Sequence, residues 1–526
     1  MYCRVAAFIF VLLISVNAYS QAPAIQFQHC MGGSLDDIAY DVIPTQDGGY
    51  LLTGGSTSSD GDLLKTTEIL HGGNYDFWFT KLDPALNFQW KKHLGGTGSD
   101  LASSVLQTAD GGYIIGGSTS SNDVDVSGNH GDYDFWIVKL FASGSVQWKK
   151  CYGGSNYDDF GSVRIAADGG LIIAGGSSSN NGDVSGNHGS SDFWLVKTDA
   201  NGTLLWQKSY GGVDYEKAAD VRVCPDGGYI LVGFSESNTG DVSGNHGDYD
   251  MWVVKTDASG NLQWQRSLGG SGYDAANAVV ALSDGSFLVA GYTGSNDGDV
   301  TANHGDDDAW LLKIDATGTI VWSKCIGGST SDVATGIENM GDNGFILSCY
   351  SMSQDGDVAN NYGLWDYWIV KTDTAGSIDW QKNFGGSLND VCYAAKPTPD
   401  EGFILAGYSE STNMDVSSNH GKKDFWTVKL EGLVAVAEIE KSFLPLEVYP
   451  QPASSSVNLK IPDQAMQHYN PLTVDFFDLA GRKLFTEEMA ADPLLKVDCS
   501  NWIPGVYGYQ LKSSNLVLAN GKLLIQ

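Results

Sequence analysis

Apolar and polar residues alternate along most of this chain in short runs cut by Gly, Asp and Asn. The stretch DFWIVKL (134–140) follows a period of two, the spacing of a β-strand. YIIGGSTS (113–120) and SVQWKK (145–150) are runs of the same kind. Asp110-Gly111 stands between SDLASSVLQTAD (99–110) and YIIGGSTS, and an Asp-Gly pair between two such runs marks a tight hairpin. Together these runs predict four short antiparallel strands. The second and third are joined by a longer loop, SNDVDVSGNHGDY.

The four-strand unit recurs. The first glycine of a Gly-Gly pair falls at Gly32, Gly95, Gly153, Gly211, Gly269, Gly327 and Gly385, with one interval of 63 residues and five of 58. The Trp of the third strand keeps a spacing of 58 throughout, at Trp78, Trp136, Trp194, Trp252, Trp310, Trp368 and Trp426. Such a period predicts an all-β fold, a seven-bladed β-propeller. The fourth-strand Trp recurs at 90, 148, 206, 264, 322 and 380, but the next position is Glu438, where no strand pattern remains. AIQFQHCMGG (24–33) offers Phe27 at that place, so the N-terminal strand is expected to complete the last blade and close the ring over 24–432.

Composition changes the picture in two ways. Gly accounts for 66 of 526 residues and charged residues for only 18%, as suits turn-rich β structure. The net charge of −33 excludes nucleic acid and anionic membrane as partners, because both are gripped by clustered Lys and Arg. Arg4, the apolar run VAAFIFVLLISV (5–16) and AYS before Gln21 read as a signal peptide over 1–20, too short to span a bilayer. No transmembrane segment is expected elsewhere. Seven Cys follow the signal, an odd number at wide spacing, which fits neither a disulfide framework nor a zinc site.

The period stops near Gly432. Residues 433–445 read as a linker, and 446–526 as short strands with Pro and Gly turns, a small Ig-like β-sandwich. This segment resembles the C-terminal sorting domain of the type IX secretion system. The resemblance rests on Tyr449-Pro450-x-Pro452-Ala453, on Asp478-x-x-Gly481 with a following basic pair, on Pro504-Gly505-x-Tyr507 and on Gly521-Lys522-Leu523. Gln451 stands where the family usually has Asn. The resemblance implies handling by the type IX machinery and delivery to the medium or the outer surface of a Gram-negative cell. The preceding repeats resemble tandem repeats that accompany this tail, which names an address and no activity.

Antiparallel order puts the Gly-Gly connections and the GNHG loops at one end of the blades, and long loops on a rigid scaffold carry binding. Two sets of acids mark that end. An inner ring comprises Asp37, Asp100, Asp158, Glu216, Asp274, Asp332 and Asp390, each five residues after a first glycine. The loops carry Asp pairs nine apart: Asp125/Asp134, Asp183/Asp192, Asp241/Asp250, Asp299/Asp308, Asp357/Asp366 and Asp415/Asp424, with Asp62 and Asp76 fourteen apart in the first repeat. Such oxygen-rich loops suit Ca²⁺, while Asp and Asn equally suit backbone turn caps. No other cofactor is indicated. His130, His188, His246, His304 and His420 hold one loop position around a wide ring, so they do not converge on a zinc.

A feature present seven times is scaffold or a repeated site, whereas a specific site belongs where one repeat departs from the rest. The departures gather in the sixth, seventh and first repeats: Lys65, His71, Tyr362, Trp365, Lys422 and Lys423. Their chemistry suits a polysaccharide or a surface protein. The reading is therefore a secreted binding or adhesion scaffold rather than an enzyme, and it assigns no catalytic residue. The alternative is a glycan-acting hydrolase or lyase with Glu216, the only Glu of the inner ring, as general acid or base.

Overall fold

The computed structural model describes residues 22–63, 74–432, 446–461, 472–477, 483–488, 493–513 and 516–526. The signal-peptide segment, the linker, Lys65, His71 and the Asp478-x-x-Gly481 motif lie outside the described residues. The chain divides into two compact units, 1–432 and 433–526.

The first unit is a β-propeller built from seven four-stranded antiparallel sheets. Their inner strands are Asp37–Pro44, Asp100–Gln107, Asp158–Ile165, Glu216–Val223, Asp274–Ala281, Asp332–Asn339 and Asp390–Pro397. Each inner strand packs against the inner strand of the next sheet, and the seventh against the first. The seventh sheet takes its outer strand from the N-terminus: Ile25–Met31 pairs antiparallel with Asp424–Leu430, and Gln28 Oε1 accepts from Trp426 Nε1 at 2.9 Å.

The third strands explain why the sheets cohere. DFWIVKL and its variants are buried on both faces, and their period of two separates two jobs. The Trp lies fully buried between sheets, in five cases against an aromatic residue of the preceding sheet, while Met251 and Ala309 take that place beside Trp310 and Trp368. Phe77 meets Trp136 at 4.4 Å between ring centroids, Phe135 meets Trp194 at 4.7 Å and Phe193 meets Trp252 at 4.5 Å. Tyr367 meets Trp426 at 4.6 Å, and Phe425 of the seventh sheet meets Trp78 of the first at 4.3 Å. The third-strand Lys (Lys81, Lys139, Lys197, Lys255, Lys371 and Lys429) is buried along its stem. In six sheets the third-strand ammonium reaches the Asp of the first hairpin turn, from 2.8 Å for Lys197 to Asp168 to 3.6 Å for Lys313 to Asp284. Fourth-strand Trp rings are mostly half-exposed and lie over a left-handed turn glycine of the next sheet: Trp148 covers Gly202, and Trp206 covers Gly260.

In the second unit, Glu447–Tyr449, Ser456–Lys460 and Leu494–Asp498 form a three-stranded sheet. Lys483–Glu488, Leu472–Phe477, Gly505–Ser513 and Leu516–Ile525 form a four-stranded one. Val457, Leu459, Val474, Phe476, Leu511 and Leu523 fill a shared core. Among the described residues, no helix is long and apolar enough to cross a membrane.

Candidate functional site at one end of the propeller

The inner acids are not a ring displayed at the surface; all seven are fully buried. Asp158 shows the reason. Its Oδ2 accepts the Gly154 N–H at 2.6 Å and the Ser179 hydroxyl at 3.0 Å, and Ser177 donates to Oδ1. Asp37, Asp100 and Asp274 hold the same three partners in their own sheets. These carboxylates satisfy the Gly-Gly backbone at the point where the chain turns into an inner strand. Glu216 does likewise through Gly212 N–H at 2.7 Å and Ser235 Oγ at 2.8 Å.

The loop aspartates also part company. The second Asp of each pair is fully buried: His130 sets its backbone N–H 3.0 Å and its Nδ1 2.7 Å from Asp134 Oδ2. His188, His246 and His304 repeat this arrangement on Asp192, Asp250 and Asp308. The first Asp of the pair turns elsewhere, Asp125 to Lys149 at 3.1 Å and Asp183 to the Gly153 N–H at 3.4 Å. Asn129 donates to the Thr119 carbonyl at 3.0 Å and accepts the Gly131 N–H at 2.8 Å, pinning the loop to the second strand. Gly128 sits at φ +86°, where a side chain is strained. Among the described residues, no group of three or more His, Cys, Asp or Glu side chains is arranged to hold a metal ion.

Between neighbouring sheets these two acid sets face each other across the first glycine. A Cβ on Gly153 would fall 2.5 Å from Asp134 Oδ1 and 2.6 Å from Asp158 Oδ2, so only glycine fits between the carboxylates. The Oδ1 atoms of Asp134, Asp192, Asp250, Asp308, Asp366 and Asp424 are buried without a hydrogen-bond partner. Burial dominates the electrostatics and raises the acids: Asp134 and Asp192 to about 6, Asp332 to about 6, Asp37 to about 7. Asp366, where Tyr362 replaces the histidine, rises to about 8. It keeps the backbone bond from Tyr362 N–H at 2.6 Å, but no imidazole stands beside it.

Where the repeats diverge, the same end of the sheets opens onto an aromatic rim. Trp365 stacks edge-on against Tyr350 at 4.8 Å, within a cluster that includes Tyr40, Tyr75, Tyr393 and Tyr408. Lys423 Nζ lies 4.6 Å above the Tyr408 ring and 4.0 Å from Glu410. Lys422 borders a hollow with Asp36 and Tyr75. Of the residues singled out from sequence, then, Trp365 and Lys423 come together. Tyr362 does not join them; its ring, 39% exposed, senses the Asp415 and Asp366 carboxylates.

Inward of the rim the seven inner strands line a cavity of about 120 Å³. Arg164 Nη2 meets Asp220 Oδ1 at 2.6 Å, Arg222 Nε meets Asp220 Oδ2 at 3.1 Å, and Lys396 pairs with Glu338. Asp41 accepts the Val105 N–H of the next sheet at 3.0 Å. Sequence reasoning missed this network. Its signal was present in the repeat alignment, where one inner-strand column reads Ile43, Leu106, Arg164, Arg222, Val280, Glu338, Lys396.

Residues 447–526 match the family described as Secretion system C-terminal sorting domain. The second unit is a type IX sorting domain. The chain that carries this sorting domain is therefore addressed to the cell surface or the extracellular space. The propeller has more distant likenesses. The chain is 23% identical over 405 residues to Regulatory protein FlaEY of Caulobacter vibrioides, a match over 68% of this chain, which spans 41% of that relative's length. Among solved structures, the Neurospora crassa Pan2 WD40 domain aligns with TM-score 0.42 at 11% identity, over 77% of this chain and 96% of that one. YCF48 bound to D1 peptide aligns with TM-score 0.41 at 9% identity, over 80% and 99%.

Proposed function

We propose that the protein is a type IX-exported, closed seven-bladed β-propeller that works as a ligand-binding scaffold outside the cell, with an Ig-like sorting domain as its export address. The rim around the channel is the binding face. The observation that carries this reading is the placement of aromatic side chains. Trp365, Tyr350 and Tyr75 stay half-exposed at one end of a rigid scaffold, packed against the small cluster of Ile38, Val391 and Tyr408. Aromatic faces beside Lys422 and Lys423 suit a polysaccharide, above all one that carries acidic groups.

Retention of acidic and neutral polysaccharides by the intact protein tests the proposal. Trp365→Ala is expected to weaken retention about fivefold or more, the loss of one stacking contact. Unchanged retention would remove the rim as the site. A propeller enzyme acting through Glu216 is disfavoured, because that carboxylate is bonded to Gly212 and Ser235 inside the fold. Glu216→Gln is expected to leave polysaccharide samples as inert as the wild type does.

A further inference from the structure

A second aromatic cluster stands on the same rim, on the fourth and fifth sheets. Tyr215, Phe234, Tyr249 and Tyr273 form a continuous ladder with successive ring centroids 5.8, 4.8 and 4.8 Å apart. Tyr249 Oη lies 2.7 Å from Tyr292 Oη, which fixes the tilt of the middle ring. Tyr273 is 51% exposed and the others are half-buried. These rings are not part of the packed cores of their sheets.

The charge around this ladder has one sign. Asp214, Glu236, Asp248 and Asp306 are exposed beside it and Asp307 is half-buried. Partial burial and the nearby carboxylates of Asp214 and Asp248 raise Glu236, and the Asp248 charge raises the Tyr273 hydroxyl. Lys217 adjoins Tyr215, but its ammonium is held by Asp159. The faces of aromatic rings carry negative charge density, and here they sit among carboxylates, so both features attract the same kind of group. An anion is repelled. A neutral sugar gains stacking but nothing from the acids. The ladder also crosses from one sheet to the next, further than a single ammonium group needs.

We propose that the fourth and fifth sheets form a subsite for a basic peptide segment, whose ammonium or guanidinium groups lie over Tyr249 and Tyr273 and pair with Glu236 and Asp248. The proposal rests on the reading of the rim as a binding face and adds a second, oppositely charged half to it. The lysine-bearing half around Trp365 takes the acidic or neutral ligand, and the carboxylate-bearing half takes the cation.

The test uses the intact protein and three probes: a hexa-arginine peptide, a hexa-glutamate peptide and a neutral oligosaccharide, with binding read by calorimetry. A chain of net charge −33 attracts any polycation, so the deciding variants are those that leave charge unchanged. Tyr273→Ala and Tyr249→Leu are expected to weaken hexa-arginine binding about fivefold each, the size of an exposed cation–π contact. Glu236→Gln with Asp248→Asn is expected to weaken it further and to flatten its salt dependence, whereas Asp168→Asn on a remote hairpin turn leaves it unchanged. Melting curves matching the wild type show that the variants fold. The proposal falls if Tyr273→Ala and Tyr249→Leu bind hexa-arginine as the wild type does, or if hexa-glutamate binds equally well. It falls too if Trp365→Ala removes hexa-arginine binding while Tyr273→Ala does not, a result that keeps the rim as a binding face but moves the peptide to its other half. If oligosaccharide and both peptides all ignore every rim variant, the wider reading fails with it.

Discussion

The contacts between sheets and the rim above them belong to the same seven repeats, yet they follow opposite rules. At the sheet interfaces one solution recurs: a fully buried third-strand Trp, in five of seven cases against a ring of the preceding sheet, and two acids facing each other across a glycine. On the rim the equivalent positions scatter. The residue before the third strand is Tyr75, Tyr133, Ser191, Tyr249, Asp307, Trp365 or Lys423. Repetition marks what the fold needs from every blade, and divergence marks where the blades are free to differ.

That contrast is open to direct test. The largest effect should come from the interfaces. Trp194→Ala is expected to cost about 3–5 kcal/mol in denaturant unfolding, the loss of a fully buried indole. A result under about 1 kcal/mol, the range of a surface change, would show that the interface does not hold the ring.

The next effect is on pH. Acids such as Asp134, Asp192, Asp366 and Asp37 have folded-state pKa values of about 6 to 8, above the ordinary carboxylate value. Between the unfolded and folded values the native state binds more protons. The stability these groups contribute is therefore full below the ordinary carboxylate value near 4 and is lost as pH rises from there through about 6 to 8. The melting temperature should be lower at pH 8.5 than at pH 5. Asp366→Asn should remove the part of the slope that lies nearest pH 8, because the sixth loop lacks the imidazole of its neighbours. A melting temperature that climbs steadily from pH 5 to 8.5 would contradict the buried-pair account.

Gly153→Ala comes third. The added methyl would press on two buried carboxylates and cost about 1–3 kcal/mol. Tyr273→Ala, the rim counterpart, should stay within about 0.5 kcal/mol of wild type while changing what binds. The smallest effect is expected from chelation. With the first Asp of each loop pair turned to Lys149 or to a glycine N–H, and the second to a histidine or, at Asp366, to the Tyr362 N–H, EDTA should not move the melting temperature. A drop on chelation, reversed by Ca²⁺, would restore the cation reading of the loops.

Much of the architecture was readable because periodicity is a one-dimensional signal. The 58-residue spacing of the third-strand Trp and the missing fourth strand near Glu438 predict four-stranded units and an N-terminal strand that joins the last of them. Burial was harder to read. The acids after each Gly-Gly read in sequence as turn caps, with a cation ring as the alternative, and nothing local reveals that Ser177 and Ser179 fold over Asp158. Trp365 stood out as an unusual residue, but its partners Tyr350 and Tyr408 come from the second strands of two different sheets. The ladder from Tyr215 to Tyr273 escaped notice for the same reason. Its members occupy three different columns of the repeat and meet only when adjacent sheets are placed side by side.

The outer strand of the seventh sheet has a consequence for when the molecule becomes whole. The bond between Gln28 and Trp426 spans 398 residues of sequence. Contacts of that separation form late, because the entropy of closing so long a loop is met before the pairing rewards it. Six sheets can assemble from neighbouring segments as they emerge, but the seventh must wait for residues on both sides of the propeller. Until Asp424–Leu430 arrives, Ile25–Met31 is a strand without a sheet. Completion of the seventh sheet is thus timed to Asp424–Leu430, the last propeller strand to become available.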